Sequence, residues 1–125
     1  MKHLKPAALF ILGGLCYVGL ELLWRGRSHV TMFLLSGCCF LLIGALGKLP
    51  PAVQMLLGAA VCTAGELLFG LAFNRGYGIW DYRSLPLNFR GQICLVYSML
   101  WVPVSLAAGV LYRGAEKLLG KVLPA

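Results

Sequence analysis

Four long apolar segments occupy most of this chain and constrain its fold more than any other feature. They cover about residues 6–24, 30–46, 51–73 and 92–112. A helix needs about 20 apolar residues to cross a hydrocarbon core of about 30 Å, so each segment is near the length of a membrane span. The sequence therefore predicts an all-α fold, an integral membrane four-helix bundle that forms a single transmembrane domain over residues 1–125. We expect a multi-pass protein of the inner or plasma membrane.

The third connection between the apolar segments differs from the other two. Residues 25–29 and 47–50 are short turns, whereas residues 74–91 form a longer stretch rich in Gly, Pro, Asn and aromatic side chains. Long connections without a helix of their own are commonly functional. We expect an ordered loop, or a short re-entrant cap, over one end of the bundle. Asn88 is placed to cap the first turn of the fourth helix.

Two of the four acidic residues, Glu21 and Glu66, lie inside the first and third apolar segments. A carboxylate near the centre of a membrane helix costs about 2.5–3.5 kcal/mol, so it is normally paired, hydrated or protonated, and is often functional. The sequence around the two acids repeats, since a small residue stands two places before a Glu-Leu-Leu triplet in each segment. We therefore expect two helical-hairpin repeats, each with one acid on its first helix.

Both acids lie on stripes of residues spaced four apart, which share one face of a helix. The stripe in the third segment is small everywhere except at the acid, and it consists of Gly58, Cys62, Glu66, Gly70 and Asn74. It predicts a close helix–helix interface that contains Glu66, about 10 Å from the end of its span. The stripe in the first segment consists of Gly13, Tyr17, Glu21 and Arg25. Glu21 is near the interface, so we expect it either to pair with Arg25 or to reach toward water.

The fourth segment combines small and polar side chains with a proline. One side of its helix carries Cys94, Ser98, Trp101, Ser105 and Gly109. Pro103 removes a backbone donor and bends a helix, and membranes tolerate such a break where neighbours, water or a substrate satisfy the freed carbonyl. The pattern predicts either a polar-lined cavity or a bend that improves packing.

The charge pattern favours membrane lipids as partners and argues against nucleic acid. The net charge is +7, but the basic residues lie in the connections between apolar segments rather than on one soluble face. Every lysine lies on the side of the termini, while five of six arginines lie on the side of the long loop. Arginine binds carboxylate or phosphate through a planar fork, so these arginines suit anion recognition, pairing with the acids or contact with headgroups. The five cysteines fall in apolar segments without metal-ligand spacing, so we expect no metal and no cofactor.

Several of these residues form a pattern that resembles a known family. The pattern comprises Glu21 with residues 25–29 and Met32, Glu66 with Gly70 and Asn74, and Trp80-Asp81-Tyr82, Pro86, Asn88, residues 91–93 and Trp101. The pattern is similar to that of a family of small bacterial membrane proteins described as putative ABC-transporter type IV permeases. The resemblance implies four membrane spans and a role in transport. Arg83 departs from it, because a small Ser usually follows the Trp-Asp-Tyr triplet. The sequence holds no nucleotide-binding signature, so any ATPase is expected to be a separate subunit.

From these features we predict a small transporter, channel or permease subunit for an ion or small polar solute, acting as a homodimer. Glu66 is expected to bind a cation, a proton or a cationic group, with Glu21 and the loop arginines gating it and the long loop acting as a lid. The predicted binding and gating residues are Glu21, Glu66, Arg25, Arg27, His29, Asn74, Trp80, Asp81, Tyr82, Arg83, Asn88, Gln92 and Trp101.

Two other functions remain open at this point. The first is a lipid-binding or scaffold membrane protein without transport activity, which the arginine-rich side and its aromatic residues favour. The second is a membrane-embedded enzyme, in which His29, Asp81 and Tyr82 would join the two buried acids in acid–base work. No catalytic residue is predicted, because the sequence offers neither a metal cluster nor an activated nucleophile.

Overall fold

The computed structural model of the protein describes residues 4–26 and 28–122, except for the side chains of residues 24 and 25. Helices α1 (Leu4–Arg25), α2 (Val30–Ala45) and α3 (Pro51–Phe73) are followed by two short strands, β1 (Asn88–Phe89) and β2 (Ile93–Cys94), and by helix α4 (Leu95–Val122). α1 packs mainly on α2 and α3 mainly on α4, while α2 also contacts α3 and α4. The predicted helical bundle is therefore confirmed, and its organisation as two repeats stays a prediction.

The lengths of the helices identify a membrane protein. α1, α3 and α4 are each long and apolar enough to cross a membrane. α2 is also apolar but has only 16 residues, which is about 24 Å at 1.5 Å per residue. Many large apolar side chains point outward, with Leu23 88% and Leu68 67% exposed, as expected where lipid rather than water surrounds a bundle.

The fourth helix differs from its predicted bounds at both ends. It begins at Leu95 rather than at residue 92, because residues 88–94 form an antiparallel ribbon. It also continues ten residues beyond the predicted end, to Val122. The extension contains residues such as Ala, Glu, Lys and Leu that favour helix, and Glu116 lies 3.8 Å from Lys5 of α1.

The predicted interface stripe on α3 is buried throughout. Glu66 and Asn74 are each 1% exposed and Cys62 is 2% exposed. A methyl group added at Gly58 would lie 2.5 Å from the Ser105 hydroxyl of α4, so the two backbones approach closely at this point. The four-residue spacing thus located a helix–helix contact with the acid inside it, as predicted.

The loop between α3 and α4 is held together by a hairpin in which three residues, 90–92, connect β1 to β2. The Gln92 N–H donates to the Phe89 carbonyl at 3.1 Å and closes a β-turn over residues 89–92. Arg90 and Gly91, the central residues of this β-turn, both have positive φ, as in a type I′ turn. Asn88 lies on β1, and its side-chain amide donates to the Leu85 carbonyl at 2.9 Å while its oxygen accepts from the Gly91 N–H. The prediction that Asn88 caps α4 was wrong, because α4 starts seven residues later in the chain.

Asn74 attaches this loop to the end of the bundle. Its side-chain oxygen accepts from the Ile79 N–H at 2.8 Å, and its amide donates to the Trp80 carbonyl and to the Gln92 side chain. Gln92 in turn donates to the Asn74 carbonyl, and the Trp80 indole N–H donates to the Gln92 carbonyl at 2.8 Å. Since these groups are buried, the network fixes both the start and the end of the loop.

Candidate functional site

Glu66 is the most deeply buried acid of the bundle, and both oxygens of its carboxyl group accept hydrogen bonds. The Tyr82 hydroxyl donates to Oε2 at 2.9 Å, and the Trp101 indole N–H donates to Oε1 at 2.8 Å. One donor comes from the loop and the other from α4, so Glu66 joins three parts of the chain. A buried carboxylate is stabilised by such donors, which replace the water that it has lost.

The two donors belong to stacked aromatic pairs. Trp101 stacks on Tyr17 of α1 with ring centroids 6.0 Å apart, and Tyr82 stacks on Tyr97 of α4 at 4.8 Å. Burial, followed by the adjacent Glu66 carboxylate, raises the pKa of Tyr82 well above its ordinary value. The hydroxyl therefore keeps its proton at any physiological pH, and it can serve as a permanent donor to Glu66.

A cavity of about 460 Å³ lies beside these aromatic pairs, between α1, α4 and the loop. Its acidic lining residues are Glu21 and Asp81. Five aromatic side chains line it as well, namely Tyr17, Trp80, Tyr82, Tyr97 and Trp101. Glu66 lies behind this wall and close enough to Glu21 for the two carboxyl groups to interact electrostatically. The acids of α1 and α3 thus converge inside the protein, but only Glu21 lines the cavity.

A second cavity, of about 190 Å³, continues from the first along α1, α2 and α4. The two cavities share wall residues, among them Tyr17, Met32 and Trp101. Beyond this junction the lining is almost entirely apolar and extends along α4 to Leu111. Together they form one elongated space with an acidic, aromatic end under the loop and an apolar end deeper in the bundle.

The outer surface of the loop carries an ion pair. Asp81 accepts two hydrogen bonds from the Arg83 guanidinium, at 2.9 and 2.8 Å, and the guanidinium lies 4.0 Å from the centre of the Tyr77 ring. Arg83 lowers the pKa of Asp81 to about 2, so this carboxylate stays charged across the physiological range. Arg83 thus pairs with an acid of the loop itself.

The structure brings some of the predicted site residues together and separates others. Those around the cavity or directly behind it are Glu21, Trp80, Asp81, Tyr82, Trp101 and Glu66. Those that bond to the loop itself are Asn74, Arg83, Asn88 and Gln92. His29 caps α2, where its Nδ1 accepts from the Thr31 N–H at 3.1 Å. The Arg25 side chain and Arg27 lie outside the described residues, and with them the predicted pairing of Glu21 with Arg25.

Sequence reasoning missed two members of the site, Tyr17 as a cavity residue and Tyr97. Tyr17 stands four residues before Glu21, so the stripe on α1 already placed both on one face. Tyr97 stands four residues before Trp101 and shares its face of α4 in the same way. An aromatic residue one turn before a predicted site residue was the signal available in both cases.

Comparison with known proteins connects this geometry to a family. No curated protein and no solved structure matches this chain. A family model described as "Putative ABC-transporter type IV" matches residues 8–122, a range that includes both buried acids, the loop and α4 up to its last residue. Because that match covers nearly the whole chain, the protein belongs to the Putative ABC-transporter type IV family.

Proposed function

We propose that the protein is a membrane transport subunit whose aromatic cavity binds a cation or a cationic group. The observation that carries this proposal is the position of Glu21, 8% exposed, in the wall of a cavity that it shares with five aromatic side chains. An acid in this setting attracts cations strongly, because little water competes with it. The family description, which refers to ABC transporters, supports a role in transport.

In this proposal the two buried acids have different tasks. Glu21 supplies the charge that faces the solute. Glu66 holds Tyr82 and Trp101 through hydrogen bonds of 2.9 and 2.8 Å, and so it positions two walls of the cavity. This assignment differs from the prediction that Glu66 itself binds the cation, because Glu21 lines the cavity whereas Glu66 lies behind its wall.

The loop would act as a lid whose middle part moves while its two ends stay fixed. Its ends are fixed by the buried Asn74 network, whereas Asp81, Tyr82, Ser84 and Leu85 lie against the cavity. The bond from Tyr82 to Glu66 joins this middle part to α3. Opening the cavity toward the loop side would break that bond, which makes the Tyr82–Glu66 pair the latch of the lid.

The test is a flux assay on the purified protein in liposomes, with protons, K⁺ and small organic cations tried in turn. Wild type should transport at least one of them, and Glu21→Gln should reduce that flux by about tenfold or more. Glu116→Gln removes an equal charge from the exposed part of α4 and is the matched control. Absence of flux for every cation, or equal flux in wild type and Glu21→Gln, would refute the proposal.

A homodimer and a separate ATPase are the partners that we propose for this subunit. The sequence holds no glycine-rich phosphate loop followed by Lys and Ser or Thr, so ATP-driven transport would need a second protein. Flux that requires no ATP in liposomes containing this chain alone would show that the subunit works without one. Mass measurement of the protein in native-like lipid discs would give the number of copies.

The apolar second cavity favours the alternative function, binding of a lipid without transport. Its lining suits an acyl chain rather than a hydrated ion. Mass spectrometry of the purified protein would identify a retained lipid. A stoichiometric lipid together with absent flux would establish this alternative, whereas lipid-free protein with Glu21-dependent flux would eliminate it.

A further inference from the structure

We infer that the joined cavities take an organic cation that carries a single alkyl chain, such as an alkyl-trimethylammonium. The charged head would lie at the acidic, aromatic end, and the chain would lie in the apolar end. This inference names a substrate class for the transport function proposed above and rests on it, although binding can be measured without any transport.

The acidic, aromatic end has the chemistry that recognises an ammonium group. Tyr, Trp and Phe rings attract cations through their electron-rich faces, most strongly where water is excluded, and quaternary ammonium groups are the ligands best suited to several rings at once. Five such rings line this end together with Glu21, whereas the Asp81 carboxylate pairs with Arg83 on the outer surface of the loop. A small inorganic ion would gain little from so many rings, because it retains its hydration shell more strongly than an alkylated ammonium does.

The charged residues of the described lining disfavour an amphiphile with an anionic head. Among the described residues that line the two cavities, Glu21 and Asp81 are acidic and none is Lys or Arg. The loop arginine nearest to this end, Arg83, forms an ion pair with Asp81 on the outer surface. A phosphate or sulfate head would therefore meet the charge of Glu21 without a Lys or Arg among the described lining residues to bind it.

The apolar end provides space for a chain and not merely for a bulky head. Along α4 the lining runs from Trp101 at the junction to Leu111, a rise of about 15 Å at 1.5 Å per residue. Small side chains at Ala107 and Ala108 leave this space open between α4 and its neighbours. The continuity of the two cavities, through Tyr17 and Trp101, lets one molecule occupy both.

The test is calorimetric titration of dodecyltrimethylammonium into the protein in phosphatidylcholine discs, with empty discs subtracted. Glu21→Gln should weaken binding by about tenfold or more, and the control Glu116→Gln should leave it unchanged. Ala108→Phe fills the apolar end, so it should weaken dodecyltrimethylammonium but not tetramethylammonium, which has no chain. Ala107→Leu adds less volume and gives the same comparison if Ala108→Phe does not fold by circular dichroism.

Competition separates the head from the chain. Dodecyl sulfate, which has the same chain and an anionic head, should not displace the bound cation. Displacement by dodecyl sulfate at equal concentration, or equal binding by wild type and Glu21→Gln, would overturn the inference.

Wild type and Glu21→Gln, measured in both the binding and the flux assay, distinguish this inference from the proposed function. Glu21-dependent flux of K⁺ or protons without binding of dodecyltrimethylammonium would leave transport standing and refute the substrate class. Glu21-dependent binding of the amphiphile without flux of any cation would support the substrate class of the site and refute transport.

Discussion

The hydrogen bonds to Glu66 lead to a prediction that can be tested by thermodynamics alone. Trp101→Phe removes the indole donor at 2.8 Å and Tyr82→Phe removes the hydroxyl donor at 2.9 Å, while both variants keep an aromatic ring to stack. Each variant should lower the free energy of unfolding, because water cannot replace the lost donor at a side chain that is 1% exposed.

The magnitude follows from two ranges. Side-chain hydrogen bonds between membrane helices contribute about 0.6 kcal/mol on average and at most about 1.7 kcal/mol, whereas bonds to charged groups in proteins contribute about 1.5–3 kcal/mol. The Glu66 carboxyl group is fully buried, so we expect a value where the two ranges meet, about 1.5 kcal/mol for each donor. In a Glu66→Gln background the side chain is neutral: its oxygen can accept from the Trp101 indole, and its NH2 group can donate to the Tyr82 hydroxyl. Each of these bonds should be worth only about 0.6 kcal/mol.

The assay is a double-mutant cycle between residue 66 and each donor, measured by reversible unfolding in bicelles and followed by circular dichroism. The coupling energy should be about 1 kcal/mol for each pair. Tyr112→Phe serves as the control, because Tyr112 lies on α4 about 16 Å from Trp101 and packs its ring on Phe40. Coupling energies below about 0.3 kcal/mol, or an equal loss of unfolding free energy in Tyr112→Phe, would show that these hydrogen bonds do not stabilise the bundle.

Three further predictions concern packing, the loop and its ion pair. Gly58→Ala should destabilise the bundle by about 1–3 kcal/mol because its methyl group meets α4, whereas Gly19→Ala, with open space around it, should not; equal unfolding midpoints would contradict this. Asn74→Ala should detach the loop while the helices persist, seen as faster trypsin cleavage after the loop arginines at unchanged helicity; unchanged cleavage would count against the anchoring role. The pKa of Asp81 in the folded protein, about 2, is below the unfolded value of about 3.9. The stabilisation by Arg83 is therefore complete above about pH 3.9 and is lost as the pH falls through about 2. Loop cleavage should therefore be the same at pH 5 and pH 8, and Arg83→Ala should raise the pKa of Asp81 in a carboxyl carbon NMR titration; an unmoved titration would disprove the pairing.

Local repetition along the chain was enough to predict the interior of the bundle. The stripe through Glu66 could be read from one sequence because residues four apart share a helix face whatever they pack against. The same argument placed Glu21 and Tyr17 together on α1. The Asp81–Arg83 pair could also be predicted from the sequence, because two residues of opposite charge stand two places apart in a loop.

The partners of those faces could not be predicted in the same way. That Tyr82 reaches Glu66 depends on how the loop folds back over the bundle, and this depends on the Asn74 network and on a turn built from Arg90 and Gly91. Type I′ turns are usually signalled by Asn-Gly or Asp-Gly, so Arg-Gly gave no such signal. The ribbon was therefore missed, and with it the late start of α4.

The brevity of α2 has a consequence for the membrane in which the protein works. At about 24 Å it is shorter than a hydrocarbon layer of about 30 Å, while its three companions are long enough to tilt. Met32, near its beginning, lines the acidic cavity. If α2 spans the membrane as predicted, the lipid layer beside it should thin or the residues that flank it should reach to the interface. We therefore expect the acidic end of the cavity to lie nearer to water in a membrane of short acyl chains than in one of long acyl chains.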